Sequence, residues 1–122
     1  MIQIRKQDKR SFDIYLDETG VVILLEYVND YKNFEQIRLD KGPIGFNSKI
    51  LSTLLIKKSD NEESILVQEN NILMFILTQD DIDYLIFRLN QYLKDRDFSP
   101  PELFNLDSKN IDITFYLKKI SK

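Results

Sequence analysis

Residues 77–96 read Leu77-Thr78-Gln79-Asp80-Asp81-Ile82-Asp83-Tyr84-Leu85-Ile86-Phe87-Arg88-Leu89-Asn90-Gln91-Tyr92-Leu93-Lys94-Asp95-Arg96. This stretch alone carries a full helical signature. Thr78 is a good N-cap, because its hydroxyl can accept from the free N–H of Asp81 three residues on. Asp81 stands where a capping box has Glu or Gln, and Leu77 and Ile82 are spaced for a hydrophobic staple. Asp80, Asp81 and Asp83 lie near the positive end of the helix dipole, and Lys94 and Arg96 near the negative end. Ile82, Leu85, Ile86, Leu89 and Leu93 form the stripe of a half-buried helix, flanked by Tyr84, Phe87 and Tyr92. Pro100-Pro101 then stops continuation. The spacing predicts one helix over about 79–96.

Around that helix the chain reads as strand. Ile2 and Ile4 alternate with polar neighbours, and Phe12, Ile14 and Leu16 alternate with Asp13 and Tyr15. Asp17-Glu18-Thr19-Gly20 reads as a turn, with Gly20 free to take positive φ. Val21–Val28 reads as a returning strand, apolar on both faces except at Glu26. Such a strand is central and covered on both sides, here by the helix and by a partner or a loop. Phe34–Leu39 is a further strand. Ile50–Lys57 fits helix or strand, and the polar turn Ser59–Glu63 before Ile65–Glu69 favours a strand in a hairpin. Asn70-Asn71 gives another turn before Leu73–Leu77. Ile111, Ile113, Phe115 and Leu117 alternate most cleanly, predicting a final strand over about 111–118. The expected fold is α+β: a mainly antiparallel sheet of about six to seven strands, with one principal helix packed on one face. Neither an internal repeat nor a low-complexity segment is visible. The 122 residues suit a single globular domain, 1–122.

Composition narrows the chemistry. The chain has no His, Cys or Trp, and no Ala. Isoleucine, lysine and asparagine are abundant instead, the residues of AT-rich codons, which suggests a bacterial or mobile-element gene. Without Cys there is no disulfide or thiolate, in keeping with a reducing compartment. Neither a signal peptide nor a run of about 18 apolar residues is seen, so a cytoplasmic location without membrane attachment is expected. The net charge of −3 argues against nucleic acid as a partner. The basic group Arg5, Lys6, Lys9 and Arg10 reads as a solvated hairpin end.

Ser–His and Cys–His catalysis need an imidazole that the sequence lacks. The usual zinc, copper and haem ligand sets are missing too. The acidic clusters Asp80-Asp81-Asp83 and Asp95/Asp97 do not follow calcium-loop spacing, and capping explains the first of them. We expect no cofactor, no metal and no catalysis. The expected function is binding through protein–protein contact, in one specific form a small acidic inhibitor of immunity type that neutralises a basic bacterial toxin. The candidate contact residues are Asp80, Asp81, Asp83, Asp95 and Asp97, with Tyr15 and Tyr116 on strand faces and Ile44 and Phe46 in the loop Lys41–Phe46. The segment Phe98–Phe104 reads as edge cover for the core or as a stiff recognition element. Two other readings remain: a self-assembling structural subunit of phage or secretion type, hence a homo-oligomer, and a carboxylate-dependent hydrolase or divalent-ion-binding protein.

Overall fold

The computed structural model describes residues 1–30, 37–40, 51–108 and 111–120. Its elements run β1 (Ile2–Asp8), β2 (Ser11–Leu16), α1 (Glu18–Asn29), β3 (Ile37–Arg38), β4 (Thr53–Lys58), β5 (Ile65–Glu69), β6 (Ile72–Leu77), α2 (Gln79–Asp95), β7 (Glu102–Ser108) and β8 (Ile111–Lys119). The class is α+β, as expected. The sheet has eight strands rather than six to seven, in the order β1-β2-β8-β7-β5-β6-β4-β3. It is mixed rather than mainly antiparallel: β2–β8, β4–β6 and β5–β7 are parallel pairs.

The second correction concerns Val21–Val28, which is helix α1 and not a central strand. Asp17, expected in a turn, is its N-cap, and the carboxylate accepts from Gly20 N–H at 2.7 Å. The same carboxylate meets the N-terminal ammonium of Met1. Gly20 is helical, without positive φ. It is needed instead for close approach, since a Cβ there would lie 2.1 Å from the Met1 carbonyl oxygen. The apolar run misled because α1 buries Val21, Leu24 and Val28 yet leaves Val22 and Ile23 exposed. Its polar face is therefore nearly absent, and periodicity fails.

Helix α2 follows its sequence closely. Thr78 Oγ1 accepts from Asp81 N–H at 3.2 Å, and Arg96 closes the helix in the left-handed region at φ 59°. Ile82, Leu85, Leu89 and Tyr92 are buried, and Ile86 and Leu93 partly so. The end of α2 lies beside the start of α1, where Arg96 and Glu18 pair at 2.7 Å. Both partners are over half exposed, so the pair contributes at most about 1 kcal/mol.

The strands share one continuous apolar face. The registers align Ile2 and Ile4 of β1, Phe12, Ile14 and Leu16 of β2, Phe115 and Leu117 of β8, Phe104 and Leu106 of β7, Leu66 of β5, Phe75 of β6 and Ile56 of β4, all buried in one core with the helices. Phe115 stacks on Phe12 at 5.1 Å and meets Phe75 edge-on at 4.7 Å. Each large side chain so buried contributes roughly 1.5–3 kcal/mol. The two ends of the strand order also meet. Asp40 N–H donates to the Ile2 carbonyl at 2.8 Å, and its carboxylate accepts from Ile2 N–H at 2.9 Å.

The chain does contain a repeat. Each half runs hairpin, helix, two antiparallel strands. A shift of 61 residues carries β2 onto β6 and the parallel pair Ser11–Thr114 onto Ile72–Thr53. It also carries the bond from Ile120 N–H to the Leu16 carbonyl onto that from Ser59 N–H to the Leu77 carbonyl. The halves interlock, since each donates a strand to the other's hairpin. Sequence agreement is sparse, best in Thr53-Leu54-Leu55-Ile56-Lys57-Lys58 against Thr114-Phe115-Tyr116-Leu117-Lys118-Lys119. One register differs: a bulge between Lys6 and Asp8 shifts β1 against β2, whereas the β5–β6 turn is the tight Asn70-Asn71, with Asn70 at φ 53°. The expected hairpin between β4 and β5 is not formed, because β6 lies between them.

Phe98, Leu103 and Phe104 prove to be core residues, and Phe98 stacks on Tyr92 at 4.5 Å. Residues from Glu102 onward form β7, a strand missing from the sequence-based reading.

Candidate functional site

Successive side chains of a strand point to opposite faces. Leu54, Ile56, Leu66, Leu73, Phe75 and Leu77 enter the core, so their neighbours face outward from the sheet. Across β4, β6 and β5 these neighbours fall into three rows: Thr53, Ile72 and Glu69; Leu55, Met74 and Val67; Lys57, Ile76 and Ile65. Six of the nine are aliphatic. All six are half-buried and stand outside the core.

The repeat supplies an internal comparison. In the other half, Ser11, Asp13 and Tyr15 of β2 and Thr114, Tyr116 and Lys118 of β8 occupy the equivalent outward positions. That surface is polar and internally bonded. Asp13 is only 1% exposed, and its Oδ2 accepts from Tyr15 OH at 3.2 Å, from Lys118 Nζ at 2.9 Å and from Gln7 Nε2. A buried carboxylate needs such partners. The hydrogen bond to Asp13 raises the Lys118 pKa above 10.5, and the ammonium lies 6.0 Å from the Tyr15 ring centroid.

The sequence-selected residues are not gathered into one site. Asp80, Asp81 and Asp83 begin α2, whereas Asp95 and Asp97 lie at its far end, roughly 22 Å away by helical rise. Asp81 N–H donates to the Thr78 cap and its carboxylate accepts from Ser64 Oγ, whereas Thr78 N–H, the capping-box donor, goes to Ser64 Oγ at 2.9 Å; Asp83 accepts from Gln79 Nε2 at 2.9 Å. Tyr15 and Tyr116 share the polar outer face and are half-buried. Ile44 and Phe46 lie outside the described residues. Among the described residues no group of three or more acidic side chains is placed to hold a metal ion, and no helix is long and apolar enough to cross a membrane. Arg5 stands opposite Asp13 across β1–β2, and Lys9 and Arg10 are exposed at the hairpin end.

The aliphatic rows were missed in the sequence, although a signal for them exists. Ile72-Leu73-Met74-Phe75-Ile76-Leu77 is apolar on both faces of one strand. That criterion was attached to Val21–Val28, which is helical, rather than to β6, where it holds. Comparison of the chain with protein-family models, with characterised proteins and with solved structures returned no match.

The titrating groups give a pH expectation. Stability should be nearly flat between pH ~5.5 and ~7.5, because the chain has no histidine. Burial raises the Tyr27 pKa above 10.0, against a smaller lowering by the bond that its hydroxyl accepts from Ile56 N–H. The unfolded tyrosine therefore ionises first, and stability falls as pH rises past 10.0 toward the folded value. The Lys118 contribution is complete below 10.5 and is lost through its own higher folded value. Melting curves from pH 6 to 11 should stay level and then drop, with a shallower drop in Tyr27→Phe. A level profile to pH 11 contradicts this assignment.

Proposed function

We propose that this protein is a non-catalytic binding protein that acts through protein–protein contact, using the aliphatic outer face of β4, β6 and β5. One observation carries the reading. The same fold positions in the other half hold Asp13, Tyr15 and Tyr116, so the architecture does not require Met74, Ile76 and Leu55 to be apolar. An aliphatic set retained on an outward face gains by leaving water, and contiguous apolar patches mark interaction surfaces. An acidic inhibitor reading draws less support, since the two aspartate clusters sit at opposite ends of α2 and form no single face.

A photo-crosslinking side chain at Leu55, compared with one at the equivalent Tyr116, tests the proposal in lysate of the natural host. Protein adducts are expected from position 55 and few from 116. Met74→Asp should remove the adducts while shifting the melting temperature by no more than a few degrees, because position 74 lies outside the core. No adduct at position 55, or equal adducts at both, counts against the reading.

A further inference from the structure

We propose that the partner of this outer face is a second copy of the same chain, a deepening that rests on the protein-contact reading above. The nine outward positions form a grid in which the two charged corners, Lys57 on β4 and Glu69 on β5, lie diagonally opposite each other. Face-to-face pairing of two identical grids about a twofold axis is isologous: each residue meets the position reflected across that axis. An axis along the strands sets Lys57 against Ile65 of the second copy, desolvating an ammonium without a partner. An axis across the strands sets it against Thr53. The diagonal through Lys57 and Glu69 brings like charges together. The diagonal through Thr53 and Ile65 sets Lys57 against Glu69 twice, Leu55 against Ile72 twice, Ile76 against Val67 twice, and Met74 against Met74. Ile65 also meets Ile65, and Thr53 meets Thr53 as a hydroxyl pair at the rim, so in this arrangement alone the two charged positions meet their opposites and the aliphatic positions meet one another.

The strands of the two copies then cross near a right angle, the orthogonal class of sheet packing. By strand spacing and rise the grid covers roughly 250 Å² per copy. This is small beside the ~800 Å² per partner of a standard stable interface. The association is therefore expected to be weak and readily reversible, with a dissociation constant on the order of 100 μM. The repeat explains why one face serves and not two. The equivalent face places Asp13 and Lys118 on adjacent strands, already bonded to each other at 2.9 Å, and no aliphatic centre remains.

Sedimentation equilibrium of the pure protein from about 1 to 200 μM tests the inference. A monomer–dimer equilibrium is expected. Lys57→Glu and Glu69→Lys should each weaken it by tenfold or more, and the double reversal should restore it to near the wild-type constant. Met74→Asp should give a monomer throughout. Circular dichroism confirms that each variant is folded, and Tyr116→Thr on the equivalent outer face of the other half serves as a control that still dimerises. A wild-type monomer at 200 μM overturns the inference, and so does a dimer indifferent to Met74→Asp or to both charge reversals. Adducts to a different protein at position 55, with a monomeric pure protein, would overturn the second-copy assignment while leaving the contact reading standing.

Discussion

Gly20→Ala is expected to lower the melting temperature by roughly 10 °C, the equivalent of about 2–3 kcal/mol for a chain of this size. Propensity alone gives the opposite sign, because Ala is preferred to Gly in a helix by about 1 kcal/mol. Packing decides. The added methyl would stand 2.1 Å from the Met1 carbonyl oxygen, 2.9 Å from its carbon and 3.2 Å from Ile2 Cγ1. The first two are backbone atoms and cannot swing aside as a side chain can. Relief requires the start of β1 to lift from α1. That movement strains the two hydrogen bonds between Ile2 and Asp40 that join the ends of the sheet, and the contact between the N-terminus and Asp17. Thermal melting of the variant against wild type checks this, and an unchanged or higher melting temperature would show that the contact is not limiting.

Arg88→Met is expected to cost about 2–4 kcal/mol. Arg88 is 2% exposed, an unusual place for a guanidinium. Its Nη1 donates to the Glu102 carbonyl at 2.7 Å and to Tyr84 OH at 3.0 Å, and its Nη2 donates to the Pro100 carbonyl. The guanidinium also lies 5.7 Å from the Tyr84 ring centroid. It thereby ties α2 to the cis Ser99–Pro100 turn and to the start of β7. Two effects oppose each other in the variant. Removing a buried cation relieves desolvation, which can make an apolar replacement neutral. Two carbonyls then lose their donors in a dry site, at about 1–3 kcal/mol each, and this outweighs the relief. Urea unfolding measures the total, and hydrogen exchange should show lost protection at the start of β7. A variant within ~0.5 kcal/mol of wild type would mean that water or a local shift satisfies the carbonyls. Tyr84→Phe, which removes one bond from a side chain 38% exposed, should cost under about 1 kcal/mol.

The parts of this fold that were legible in sequence are those specified locally. Helix α2 carries its own cap and stripe, and both appear in the structure. The Asn70-Asn71 turn and the alternating strand β8 were legible for the same reason. Helix α1 was not, because Val22 and Ile23 occupy the face where polar residues would mark the period. Strand β7 was hidden by Phe98, Pro100 and Pro101, whose composition resembles a loop. The strand order depends on pairings between residues about 100 positions apart, such as Ser11 with Thr114, on which local periodicity is silent. The same holds for the candidate site. The aliphatic rows become a surface only once β4 and β5 are known to flank β6, and the acidic residues fall at the two ends of α2, roughly 22 Å apart by helical rise.

The interlocking of the two halves has a consequence for how the chain is made. When the first half leaves the ribosome, β2 has β1 on one side and nothing on the other, and β4 is in the same position beside β3. Their missing neighbours, β8 and β6, belong to the second half. Until they arrive, two strands with fully apolar inner faces present open edges, the condition under which nascent chains aggregate. β8 follows every other strand of the sheet in the sequence, so the slow and vulnerable interval of folding runs from the synthesis of β2 to that of β8.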